Sequence, residues 1–152
     1  MIQKITDNNK KKEITRKVLE ALPEWFEVEQ SREQYIADSV KFEYFAAFVD
    51  DRPVGFMCLK QTGKETVELA VTGVLKQYHR MGLGRQMFEL AKKTAIEQGY
   101  SFMQVKTVKM GVYDSYDKTN RFYLSLGFKE LEVIECIWGK ENPCQIYVMA
   151  LQ

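Results

Sequence analysis

The apolar pattern changes period around the segment Tyr78-His79-Arg80-Met81-Gly82-Leu83-Gly84-Arg85. Before it, Val67 to Leu75 is an apolar run of strand character. After it, Leu83, Met87, Leu90, Ala91, Thr94 and Ala95 recur at helical spacing, which predicts an amphipathic helix over roughly Leu83 to Gln98. Gly99 suits the end of that helix. A strand that passes through a glycine-rich turn into a helix aims several unpaired backbone N–H groups one way. Those amides, the positive end of the helix dipole, Arg80 and Arg85 suit a phosphate or pyrophosphate. Gly82 and Gly84 alone are equally compatible with a tight turn. A doubly wound dinucleotide-binding unit is disfavoured, because Met87 stands where the third glycine or alanine belongs.

The rest of the chain supplies a frame for this turn. Ile2 to Thr6 reads as a short strand, and Asp7, Asn8 and Asn9 as turn and cap residues. Ile14, Val18 and Leu22 mark a first helix, stopped by Pro23, and Glu24-Trp25-Phe26 forms an aromatic corner. Ser31-Arg32-Glu33-Gln34 has capping-box spacing for a second helix through Val40, with Tyr35, Ile36 and Val40 on its apolar face. Tyr44–Val49 and Val54–Leu59 are joined by the turn signal Asp50-Asp51-Arg52-Pro53. Gln61-Thr62-Gly63-Lys64 turns into Val67–Leu75, which completes an antiparallel meander.

Downstream, Phe102–Val108 reads as a strand and Asp117 to Leu126 as a shorter helix ended by Gly127. Phe128–Ile137 and Gln145–Leu151 read as final strands. The order β-α-α-β-β-β-α-β-α-β-β indicates a single mixed α/β domain over residues 1–152. Gly73, inside the fourth strand, marks a bulge, a close approach by another backbone or a ligand, or equally a packing glycine. A bulge there would part this strand from the next and free the backbone of Val74 and Leu75 for an extended ligand.

Composition narrows the function classes. The chain is 45% hydrophobic and 12% aromatic, enough for a real core. Its 22 basic and 21 acidic residues leave a net charge of +1, so neither nucleic acid nor a membrane surface is an expected partner. Lys10-Lys11-Lys12 reads as a solvated helix start. Cys58, Cys136 and Cys144 form no CxxC pair, so neither a disulfide framework nor a metal site is expected. Cys58 reads as a small core residue. No segment reads as a signal peptide or membrane span, and a cytoplasmic setting is the default expectation.

A second block, Asn120-Arg121-Phe122-Tyr123-Leu124-Ser125-Leu126-Gly127-Phe128, reads as a helix end packed by aromatics and closed by glycine. Together, His79-x-x-Gly82-x-Gly84 and Phe122-Tyr123-x-x-x-Gly127-Phe128 resemble the signature of the GCN5-related N-acetyltransferase (GNAT) superfamily. The order of elements resembles it too, over nearly the whole chain, and the segment Trp138 to Met149 resembles a bacterial subgroup of unassigned substrate. The sequence departs from the family pattern at two places. His79 replaces the usual Arg or Gln, and Tyr116 replaces an Asn often seen six positions before Phe122.

The resemblance implies a central twisted mixed sheet with helices on both faces. It also implies an acetyl-CoA cosubstrate, no metal, and an amine-bearing small molecule or peptide as acceptor, and it is compatible with a homodimer. Val74 and Leu75 would pair with the pantetheine arm, a backbone N–H near Val74 would polarise the thioester carbonyl, and the loop His79-Arg80-Met81-Gly82-Leu83-Gly84-Arg85 would hold the pyrophosphate. Tyr123 would be the general acid and Glu68 the general base, with Trp25 and Trp138 lining the acceptor site. A non-catalytic CoA-binding module and acetylation of aminoacyl-tRNA are the competing readings.

Overall fold

The computed structural model describes Met1 to Gln152 throughout. The strands are β1 (Ile2–Ile5), β2 (Glu43–Val49), β3 (Arg52–Gln61), β4 (Thr66–Val74), β5 (Phe102–Val108), β6 (Lys129–Ile134) and β7 (Cys144–Ala150). The helices are α1 (Asn8–Glu20), α2 (Glu29–Asp38), α3 (Leu83–Glu97) and α4 (Asp114–Ser125). The strands form one sheet in the order β1-β2-β3-β4-β5-β7-β6. All neighbours are antiparallel except β4 and β5, the pair joined through α3.

Local chemistry accounts for most boundaries. Asp7 caps α1 by accepting from the Lys10 N–H at 3.0 Å. Asp50 and Asp51 take φ of 50° and 61°, the left-handed pair that a tight hairpin turn requires. Arg52 and Pro53 therefore belong to β3 rather than to the turn. The α2 start differs from the capping-box expectation. Val28 precedes the helix without a side-chain cap, and Ser31 lies inside the first turn. The Arg32 guanidinium instead donates to the carbonyls of Phe26 and Glu27 and pins the preceding corner. Tyr35 is exposed, and Ile36 alone on α2 is buried.

The core lies on both faces of the sheet. Val18 and Leu19 of α1, with Leu22 just beyond its end, pack on one face, and Met87, Phe88, Ala91 and Ala95 of α3 on the other. Lys11 departs from the solvated reading of its basic run. It is buried, and its ammonium donates to the Phe42 carbonyl at 2.8 Å. Cys58 is buried as expected, and Cys144 is buried as well.

The β4 irregularity lies upstream of Gly73. Ala70 and Val71 together oppose Cys58, between the pairs Leu59↔Leu69 and Met57↔Thr72. That is a bulge, and it shifts the facing of every later residue on the strand. Gly73 itself pairs with Phe56. A Cβ on it would lie 2.9 Å from Val18 Cγ1, so α1 packing is the reason for glycine there. Pairing of β4 with β5 stops at Glu68↔Gln104, just before the bulge. Beyond that point the two strands part.

Candidate active site

The parted strands leave one edge of β4 unpaired. The Leu75 N–H donates to the Val54 carbonyl at 2.8 Å, toward β3. Strand alternation then turns the backbone of Val74, and of Thr72 before it, toward the gap. Only Val74 of the expected pair thus offers its groups to a ligand strand, and the Leu75 amide is already used. The Val74 carbonyl accepts a hydrogen bond from the His79 ring at 2.6 Å. A carbonyl can only accept, so His79 Nε2 carries the proton.

The turn after β4 opens the N-terminus of α3. Arg80 has φ of 62° and Gly82 has φ of 78°, so the chain reverses through two left-handed residues. Gly82 is the N-cap and has no side chain to cap with, which leaves the first amides of α3 without an acceptor from it. His79, Arg80, Met81 and Gly82 are all exposed around these amides, whereas Leu83 is buried. The two glycines serve different ends. Gly82 supplies backbone conformation. Gly84 supplies room, because a Cβ there would lie 2.9 Å from Cζ of Phe122 on α4. The Arg85 guanidinium donates to the Ser125 carbonyl at 3.0 Å, at the end of α4. That position favours a cation and ties the two helices together.

Tyr123 and Glu68 stand on opposite faces of the sheet, either side of the gap. Tyr147 pairs with Val105 and aims its hydroxyl at Asn120 of α4. Lys106, the next residue on β5, therefore faces the other way, together with Glu68. The Lys106 ammonium sits 2.8 Å from the Glu68 carboxylate.

The Tyr123 ring packs against Phe122, Phe128 and Tyr147. Of the three buried tyrosines, Tyr44 bonds Thr15 and Tyr147 bonds Asn120, whereas the Tyr123 hydroxyl has no protein partner. Burial raises the Tyr123 phenol above its ordinary value, and the nearby Tyr116 and Glu68 push in the same direction. The phenol is thus a protonated, unengaged O–H donor at neutral pH.

The α1–α2 corner closes one end of the gap. Trp25 Nε1 donates to Thr119 Oγ1 at 3.1 Å and to the Ser115 carbonyl at 3.3 Å. The Tyr116 hydroxyl returns a bond to the Trp25 carbonyl at 3.1 Å. The Trp25 ring also meets His79 edge-on, with centroids 6.2 Å apart. Trp138 is different. It is 44% exposed in the β6–β7 connection, with no aromatic partner. That connection is tied to the start of α4 by the Tyr113 hydroxyl, which donates to Asn142 at 2.8 Å.

Two contributors escaped the sequence reading. Lys106 is a lysine on a strand face, which nothing local distinguishes. Asn120 is wholly buried and bonds the carbonyls of Val108 and Tyr116 while accepting from Tyr147. Its place inside the second motif was visible, but its three partners come from three elements.

A mixed sheet parted beside an uncapped helix, with a tyrosine and a carboxylate flanking the gap, is the geometry at the centre of the chain. Residues 12–128 match the profile described as the acetyltransferase (GNAT) family, and the chain belongs to that family. Among curated proteins no relative matches the sequence. A GNAT-family protein from Desulfovibrio desulfuricans superposes with a TM-score of 0.87 at 16% identity, over 100% of this chain and 99% of that one. A GNAT family acetyltransferase from Elizabethkingia anophelis with acetyl-CoA bound gives 0.77 at 16%, over 99% and 97%. An aminoglycoside 6'-N-acetyltransferase complexed with coenzyme A gives 0.77 at 19%, over 100% and 97%. At these identities the likeness concerns the fold. No helix is long and apolar enough to cross a membrane.

Proposed function

We propose that the chain transfers an acetyl group from acetyl-CoA to a primary amine by direct attack within a ternary complex. The observation that carries the reading is the free edge of β4 running into the uncapped N-terminus of α3. The Val74 backbone hydrogen-bonds the amides of the pantetheine arm as an added strand. The amides from Arg80 to Gly84 hold the pyrophosphate. The Thr72 N–H, the other amide turned to the gap, polarises the thioester carbonyl.

Acetyl-CoA supplies the acetyl group and a thiolate leaving group. Tyr123 donates its phenol proton toward that thiolate, and its lack of a competing partner leaves the O–H free to do so. A raised phenol pKa makes complete transfer uphill, so the proton is shared with the sulfur in the transition state rather than released ahead of it. Glu68, on the opposite face, takes the proton of the attacking amine. The Lys106 ammonium, 2.8 Å away, holds the carboxylate in place at the gap.

Trp25 borders the acceptor side through its seat on α4. A direct test combines acetyl-CoA with a panel of amines and reads thiol release. Turnover in wild type that collapses in Tyr123→Phe supports the reading. Binding of CoA without turnover on any amine would turn it into that of a non-catalytic CoA-binding module.

A further inference from the structure

We infer that His79 is a latch on the cofactor edge of β4, competing with acetyl-CoA for the Val74 carbonyl instead of helping to bind it. The inference rests on the cofactor reading above and departs from the phosphate-contacting role that its place in the loop implies. Nε2 of His79 donates to the Val74 oxygen at 2.6 Å. The Val74 carbonyl is turned to the gap, where an added ligand strand must find its acceptor. One carbonyl lone pair remains, yet the imidazole occupies the space on the side from which the arm must approach.

The ring is also seated. Trp25 meets it edge-on at an interplanar angle of 74°. Trp25 cannot follow it freely, because its own N–H is held by Ser115 and Thr119. Thr119 lies one helical turn before Tyr123 on α4. The contacts therefore run without a break from the cofactor edge, through His79 and Trp25, to the helix that carries the acid. Displacing the imidazole removes the His79 contact from the Trp25 ring, while the hydrogen bonds of Trp25 to α4 remain, so entry of the cosubstrate is felt at the acceptor side through this one ring contact. An Arg or Gln at this position is longer and would not have the same ring to seat against Trp25.

The sign of one substitution separates the latch from a phosphate contact. A closed form favoured by one net hydrogen bond lowers apparent affinity by the fraction of molecules left open. Titration calorimetry with acetyl-CoA should thus show His79→Ala binding about 2- to 10-fold tighter than wild type. His79 is the chain's one histidine, so the imidazole nitrogen spectrum of wild type reports it without ambiguity. Its Nε2 proton should be protected in the protein alone and should lose that protection at saturating acetyl-CoA. Equal or weaker binding by His79→Ala, or a ring spectrum unmoved at saturation, overturns the latch while leaving the cofactor reading intact. Failure of both proteins to bind acetyl-CoA overturns both.

Discussion

The Lys106 ammonium lies 2.8 Å from the carboxylate of Glu68, the last residue of β4 that pairs with β5. The pair marks the floor of the gap on the α1 face. Their side chains are 31% and 12% exposed, so this is neither a surface pair of negligible value nor a fully buried one. Lys106→Met leaves a mostly desolvated carboxylate alone and should cost about 1–3 kcal/mol in urea unfolding. Glu68→Gln should keep the fold and lower kcat by about 100-fold or more, with little change in the KM for acetyl-CoA. Equal activity of Glu68→Gln and wild type would remove Glu68 as the base.

Tyr123→Phe removes a hydroxyl that bonds nothing in the protein. Its stability should stay within about 0.5 kcal/mol of wild type, the usual scatter for a change without a structural partner. Its kcat should fall by about 100-fold or more. Unchanged turnover with unchanged stability would leave Tyr123 as a packing residue only.

Burial raises the phenols of Tyr44, Tyr123 and Tyr147 in the folded chain. An unfolded phenol titrates near ~10. Below that pH both states are protonated and the contribution to stability is complete. Above it the unfolded chain ionises first, so stability falls steadily as pH rises toward the folded values. Phenolate absorbance from these three rings should appear together with the loss of circular dichroism, not ahead of it.

The two loop glycines should fail in different ways. Gly82→Ala strains a residue at φ of 78° and should cost about 1–2 kcal/mol while weakening acetyl-CoA binding. Gly84→Ala drives a methyl into the Phe122 ring and should cost about 1–3 kcal/mol through α4. Adding Phe122→Leu should recover part of the second loss and none of the first, which a double-mutant cycle by thermal melting reads directly.

The elements around the turn were legible because local period sets them. β4, α3 and β5 were expected at Val67–Leu75, Leu83–Gln98 and Phe102–Val108 and occur at Thr66–Val74, Leu83–Glu97 and Phe102–Val108. The start of α2 was misread because a capping motif in sequence competes with a long side chain, Arg32, reaching back to the corner. Gly73 leaves a bulge and a packing role equally open in the sequence, and the residues that form the bulge, Ala70 and Val71, carry no compositional mark. Arg85 was read as an anion contact from its neighbours in sequence, yet Ser125, forty positions on, holds it. Residue type and position are enough to single out Tyr123 and Glu68 as candidates. Their placement on opposite faces depends on the registers of β4, β5 and β7 together, which no local pattern encodes.

The parting of β4 and β5 has a mechanical consequence. One blade of the sheet, β1 to β4, meets the other, β5 to β7, through a seam of only three residue pairs. Whatever fills the rest of that seam is mortar between two halves of the molecule, and its grip should be felt as stiffness across the whole sheet rather than only at the residues it touches.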